Sequence, residues 1–339
     1  MGTFAPIPLA AVVVAAGLDQ LIGDPRSWLH PVQVMGQAIT RLRGPAEAWA
    51  GDRPGYLRLA GVGITLVVVG SSGLAGWGIE QLSQPWPALG LPLLVIGLAS
   101  ALAGRSLKKA VQQVLEALPD LATARRRLAW IVGRDVSRLD AADVLRAAAE
   151  TAAENAVDGL FAPLFWMLVG AALVSVDPTL PGPLCLAWAF KAASTLDSML
   201  GYRHGRLRWL GTAGARLDDL LTWPACRLVA LSLPLAAGRL GATNRLLREA
   251  LRDGASDPSP NAGVSQAAYA HTAELRLGGL NHYADGPKAK PLLAAHQPAP
   301  DQAGVERILQ LSDRLEGLWL LAAAGPMLAM AVSEALAHQ

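Results

Sequence analysis

The chain has 339 residues, of which 52% are hydrophobic and 17% charged, and its mean hydropathy is +0.32. That excludes an ordinary soluble protein and makes an all-α, polytopic membrane helical bundle with a cytoplasmic helical and loop region the expectation. The formal net charge of +2 makes no case for nucleic acid, and the two cysteines, Cys185 and Cys226, lie in apolar stretches that support neither a disulfide frame nor a thiolate metal site.

Residues 5–22 are apolar apart from Asp19 and Gln20 and approach the length of a bilayer span. No Lys or Arg precedes them and no clear Ala-x-Ala site follows, so they read as a retained helix rather than a signal peptide. Gly23-Asp24-Pro25 stops that helix, Trp28 to Val32 reads as an interfacial turn, and residues 33–43 as a short amphipathic helix. Residues 59–79 and 88–104 read as spans, joined by a connection at 80–87 without Lys or Arg. The section 105–150 is polar and basic. Pro119-Asp120 breaks it, and Ser137 or Asp140 is placed to N-cap the helix that carries Glu150.

Residues 160–177 and 184–200 read as a second pair of spans, again with a tip, 178–183, that lacks basic residues. The stretch 221–237 is apolar but holds Arg227 and two prolines, 239–315 is polar and basic, and 317–336 is the last span. Within 239–315, residues 284–304 are rich in Pro, Ala and Lys and read as a mobile loop. The positive-inside rule then puts 24–58, 105–150, 201–220 and 239–315 in the cytoplasm. A crossing at 221–237 would export the basic 239–315 section, so 221–237 reads as re-entrant or interfacial. The whole is a single membrane-integrated domain, residues 1–339, with about six spans.

Glu150, Glu154 and Asp158 stand at i, i+4 and i+8, which on a helix stacks three acids on one face. Such a row calls for something positive against it: a metal ion, basic side chains or a cationic substrate. It also fits a solvated amphipathic helix feeding a core helix. Lys191 and Asp197 lie in an apolar stretch, where an ionisable group costs roughly 2.5–3.5 kcal/mol on insertion scales. They fit an internal ion pair that fixes helix packing, or a clamp on a substrate phosphate or carboxylate. Asp218-Asp219 suits Mg²⁺, which takes one or two carboxylates plus substrate phosphates, and equally suits a helix N-terminus. Ser259-Pro-Asn-Ala-Gly263 reads as a tight loop whose amides face an anion, or as a plain turn. There is no Walker-type loop, no dinucleotide-binding Gly-x-Gly-x-x-Gly, and no ligand spacing among His30, His204, His271, His282, His296 and His338.

Taken together and in order, several strings are more specific than any one of them. They are Leu21-Ile-Gly-Asp-Pro25, His30-Pro-Val32, Val132-Gly-Arg-Asp135, Glu150-Thr-x-x-Glu-Asn155 with Asp158-Gly159, and Ala162-Pro-Leu-Phe-Trp166. They continue with Thr195-Leu-Asp-Ser-Met-Leu-Gly-Tyr202, Arg216-Leu-Asp-Asp219, Ser259-Pro-Asn-Ala-Gly263 and Arg276-Leu-Gly-Gly279. From about residue 10 onward the chain resembles the adenosylcobinamide-phosphate synthase family of cobalamin (vitamin B12) biosynthesis. It departs from the usual pattern at Ser194, at Ser256-Asp257, at Val264 and at Leu280.

The resemblance implies a multi-pass enzyme of the bacterial inner membrane with its active site facing the cytoplasm. Such a ligase joins a carboxyl of adenosylcobyric acid to the amine of (R)-1-amino-2-propanol phosphate, or a related amino alcohol, using ATP and Mg²⁺. Its partners would be the corrinoid substrate, the amino-alcohol phosphate, the lipid bilayer, and a second copy or other pathway enzymes, with no nucleic acid. Glu150, Glu154, Asp158, Lys191 and Asp197 are the residues expected to carry chemistry. Asp24, Arg134, Asn155, Arg216, Ser259 and Asn261 are expected to bind substrate, and Glu154, Asp158, Asp218 and Asp219 the metal. Two other classes fit the acidic helix ends: a Mg²⁺-dependent membrane prenyl or phosphoryl transferase, and a non-catalytic corrinoid carrier.

Overall fold

The computed structural model describes residues 6–23, 30–283 and 286–337. In chain order its helices are α1 (Pro6–Ile22), α2 (Pro31–Ala50), α3 (Pro54–Ser83), α4 (Pro87–Ala99), α5 (Gly104–Glu116), α6 (Leu121–Leu128) and α7 (Ala141–Ala156). A π-helical turn, Val157–Phe161, leads into α8 (Ala162–Val176). Then come α9 (Pro183–Leu200), α10 (Leu207–Leu210), α11 (Thr212–Ala236), α12 (Thr243–Gly254) and α13 (Ala262–Ala273). The strands β1 (Leu277–Tyr283) and β2 (Gly286–Leu293) precede α14 (Gln302–Ala337).

The fold is all-α apart from that hairpin, as composition predicts. The stretches Pro54–Ser83, Pro87–Glu116 and Ala141–Val176 are long and apolar enough to cross a membrane, and Ile7–Ile22 is a shorter apolar helix. Helix starts follow local chemistry. Proline opens α2, α3, α4 and α9, where its missing N–H costs nothing. Asp120 caps α6, and of the two predicted caps for α7 it is Asp140 that serves, accepting from the Asp143 N–H at 2.8 Å.

The chain divides into two compact units. The first comprises Met1–Ala103, Ala162–Leu221 and Ala322–Gln339; the second comprises Gly104–Phe161 and Thr222–Leu321. In the first unit α9 packs along α3, and small residues set the approach. A Cβ on Gly76 would stand 2.7 Å from the Leu184 carbonyl oxygen, and one on Gly61 would stand 2.0 Å from that of Leu210. Met35, Ile39, Ile64, Val68, Leu196, Leu200 and Leu210 fill the space between α2, α3, α9 and α10. Glu80 from α3 completes the start of α9, accepting the N–H groups of Gly182, Leu184 and Cys185 at 3.1, 2.6 and 3.2 Å.

In the second unit, α5 turns Val111, Val114 and Leu115 inward, and each such side chain buried is worth about 1.5–3 kcal/mol. α13 is buried at every position from Gly263 to Ala273. The region expected as a mobile loop, 284–304, is different: Gly286–Leu293 is strand β2, paired antiparallel with β1 through Leu280↔Ala289 and Asn281↔Lys288. The composition hides this strand because Pro287 and Pro291 interrupt it and no alternation of apolar residues marks it. Gly278 makes the pairing feasible, with φ +86° and space in which a Cβ would stand 1.9 Å from the Pro291 carbonyl oxygen.

Candidate active site

In the second unit the site is built on α7. Glu150 is only 1% exposed, and what sits against it is a pair of basic side chains. Arg134 donates to its Oε2, Arg146 Nη1 to its Oε1 at 3.3 Å, and the Gly278 N–H to Oε1 at 2.9 Å. Both guanidinium groups also donate to Asn281 Oδ1, Arg134 at 2.6 Å and Arg146 at 2.8 Å. Arg146 extends the tie to the Gly278 and Leu280 carbonyl oxygens at 3.2 and 3.0 Å. The buried Asn281 Nδ2 has no hydrogen-bond partner among the described residues.

One turn on, Glu154 Oε2 accepts from Gln266 Nε2 at 2.6 Å. Lys290 donates to Asp257 Oδ2 at 2.9 Å. Burial pulls the Lys290 ammonium down, but Glu154 and Asp257 outweigh it and hold its pKa above the usual lysine range. Asn155 Nδ2 donates to Thr151 Oγ1 at 3.0 Å. Asp158 lies in the π turn, so the α-helical face shared by Glu150 and Glu154 ends before it.

The Ser259–Gly263 string forms the loop that starts α13. Ser259 Oγ accepts the N–H groups of Asn261 and Ala262 at 3.3 and 3.2 Å. Arg227 from α11 donates to Asn261 Oδ1 at 2.6 Å and to the Pro260 carbonyl oxygen at 2.7 Å, with its guanidinium 4.8 Å from the Trp223 ring centroid. Among the described residues Arg227 has no carboxylate partner. It is a half-buried cation held by neutral acceptors beside a helix start.

The first unit holds a second set. Lys191 and Asp197 lie on α9, and Asp218 and Asp219 on α11 beyond its first turn, where a helix dipole has little influence. Burial, then the charges of Asp197 and Asp219, push the Asp218 carboxyl up to about 7, while Lys191 acts in the opposite sense. Burial raises Asp219 too, opposed by Arg203. Arg216 points to solvent as an exposed residue. Asp24 lies outside the described residues. Among the described residues no group of three or more His, Cys, Asp or Glu side chains is disposed to hold a metal ion.

The sequence profile of the family described as CobD/Cbib protein matches residues 12–312. The chain belongs to the CobD/CbiB family. It is 44% identical over 292 residues to the cobalamin biosynthesis protein CobD of Synechocystis sp., covering 84% of this chain and 83% of that one. It is 38% identical over 310 residues to the cobalamin biosynthesis protein CbiB of Salmonella typhi, covering 89% and 92%. The CobD of Klebsiella pneumoniae is 41% identical over 282 residues, covering 81% and 83%. No solved structure matches the chain.

In this CobD/CbiB chain the residues that sequence reasoning passed over are those that hold the named ones. Arg146 and Asn281 fix Glu150 and Arg134; Gln266 and Lys290 engage the neighbourhood of Glu154; Arg227 holds Asn261. Arg227 had a signal of its own. An arginine inside an apolar run is as costly as Lys191 and asks for the same explanation.

Proposed function

We propose that this chain is an adenosylcobinamide-phosphate synthase of the bacterial inner membrane, working on the cytoplasmic side. It would ligate adenosylcobyric acid to (R)-1-amino-2-propanol phosphate or a related amino alcohol at the expense of ATP. Family membership and the pathway named for its relatives support a corrinoid substrate. The observation that carries the reading at the level of residues is Arg227, a cation without a carboxylate partner among the described residues, held on the Ser259–Gly263 loop, which suits a phosphate.

The chemistry asks for anion clamps. A carboxylate oxygen attacks the γ-phosphorus of ATP and ADP leaves. The amine nitrogen then attacks the acyl carbon, phosphate leaves, and the nitrogen gives up a proton. Each step builds or moves negative charge on phosphoryl oxygens, which fixed cations stabilise. We assign Arg227, in the second unit, to a phosphate, and Lys191, in the first unit, to a substrate phosphate or carboxylate. Arg134 is held by Glu150 and Asn281, and the unpartnered Asn281 Nδ2 is a donor that an amide-rich corrinoid would satisfy.

Asp218 and Asp219 fit Mg²⁺: burial and neighbouring acids raise the Asp218 carboxyl and burial raises that of Asp219, and a hard dication that takes its other ligands from phosphate and water relieves that cost. Bound there, the metal would neutralise phosphate charge. Glu154 and Asp158 are the second pair of acids we assign to metal, and Asp197 is placed to support Asp218.

The test is turnover by purified protein in detergent. ADP release should require both the corrinoid acid and the amino-alcohol phosphate. Amide formation without ATP, or turnover of a prenyl diphosphate instead, would overturn the proposal. In cells lacking the activity, cobinamide should restore growth where cobyric acid does not.

A further inference from the structure

In the first unit, α10 is pressed onto the start of α3, as the space at Gly61 requires. This fixes the half-buried Trp209 beside Arg58, whose guanidinium lies 4.5 Å from the indole centroid. Arg208 lies 4.9 Å from the same centroid. Two exposed guanidinium groups thus share one indole, and among the described residues neither meets a carboxylate. Their neighbour Arg206 differs, being paired with Asp52 at 2.8 Å.

Both guanidinium groups lie within 4.9 Å of one ring centroid, so their charges repel, and an anion that reaches both at the edge of the ring relieves that repulsion. The rest of the surface says which kind of anion. Arg58 is followed at i+4 and i+8 by Val62 and Leu66, which are 43% and 68% exposed, and Leu59 beside them is 61% exposed. The cationic end therefore opens onto an apolar, outward-facing stripe on a helix long enough to cross a membrane. A soluble phosphate would use only the cations. A molecule with an anionic head and an acyl chain uses both.

We infer that Arg58, Trp209 and Arg208 form a binding site for the headgroup of an anionic phospholipid, with an acyl chain lying along Val62 and Leu66. The guanidinium groups bind the phosphate, and the indole supplies the amphipathic contact typical of a membrane interface.

The full chain in an uncharged detergent is offered phosphatidylglycerol or phosphatidylethanolamine with identical acyl chains. Native mass spectrometry counts retained lipid, and melting temperature is read in parallel. The wild type should retain phosphatidylglycerol in preference, with a matching rise in melting temperature that high salt removes. Arg58→Gln and Arg208→Gln should each lower the preference about fivefold, as expected for one basic residue at a charged surface. Arg248→Gln, an exposed arginine on α12, should leave it unchanged. Melting of each variant in uncharged detergent alone reports folding. Should a variant not fold, the salt dependence of the wild type decides. Equal retention of the two lipids, a preference that survives both substitutions, or one that survives high salt overturns the site. Millimolar inorganic phosphate raising the melting temperature as much as phosphatidylglycerol would overturn the lipid in favour of a soluble anion.

Discussion

The Gly278 N–H donates to the Glu150 carboxylate at 2.9 Å, so a hairpin residue and a helix residue far apart in the chain share one buried charge. Arg134 and Arg146 balance that charge, at 10% and 15% side-chain exposure. Removing the acid leaves the buried Arg134 without a carboxylate among the described residues, and leaves Arg146 only the exposed Asp143 at 2.9 Å. Glu150→Ala should therefore cost about 3–5 kcal/mol, the range for breaking a buried ion pair from one side. Thermal unfolding in detergent, followed by far-UV circular dichroism, measures it. A melting temperature equal to that of the wild type would show that the network does not hold the hairpin.

Arg227→Gln removes a charge that two neutral acceptors orient. If that charge meets a substrate phosphate, KM for the amino-alcohol phosphate or for ATP should rise about 10–100-fold, as for a lost hydrogen bond to a charged group. Arg227→Lys should recover only part of the loss, because one ammonium cannot span the Asn261 and Pro260 oxygens. Steady-state kinetics with each substrate varied in turn separates the two phosphates.

Asp253 accepts from His271 Nε2 at 2.8 Å, from Arg252 Nε at 3.1 Å and from the Ala294 N–H at 3.3 Å. Burial opposes ionisation, but these bonds prevail and hold the carboxyl below the usual aspartate value of 3.8. A depressed carboxylate lends stability that is fully present above its unfolded pKa and is lost as pH falls through its folded pKa. Asp253→Asn should thus be less stable than the wild type at neutral pH, and the gap should narrow as pH falls below the usual aspartate value. Melting temperatures of both proteins from pH 7 to pH 3 test this, and a gap that stays constant over that range would count against it.

Asp218→Asn removes one carboxylate of the Asp218–Asp219 pair assigned to Mg²⁺. ADP release should fall by tenfold or more, with the Mg²⁺ concentration for half-maximal rate shifted upward. Chelation should stop release by the wild type, and added Mg²⁺ should restore it. A variant with unchanged Mg²⁺ dependence would move the metal to Glu154 and Asp158.

Much of this was legible in the chain itself. Hydropathy marks the long apolar helices, Pro119-Asp120 marks a helix break, Ser137 or Asp140 a helix start, and the ordered motif strings mark the family. The hairpin was not legible, because Pro287 and Pro291 suppress the usual strand pattern and its pairing depends on residues that only the fold brings together. The row of acids fits positive charge against it or a solvated face, and spacing does not decide between them; at Glu150 the structure shows two arginines. Arg134 precedes Glu150 by 16 residues, across a loop and the first half of α7, and Asn281 follows α13 in the chain. The π turn at Val157–Phe161 was equally invisible, since nothing in Val-Asp-Gly-Leu-Phe distinguishes it from α-helix by composition.

The enclosure of α13 has a kinetic consequence. A helix that holds Ser265, Gln266, His271 and Thr272 yet is buried at every position from Gly263 to Ala273 has no solvent-facing side from which to fray. Its backbone amides can meet deuterium only when the surrounding elements part together. In a hydrogen–deuterium exchange experiment, peptides from 263–273 should label more slowly than those from the amphipathic α12 beside it, and their rate would report the opening of the second unit as a whole.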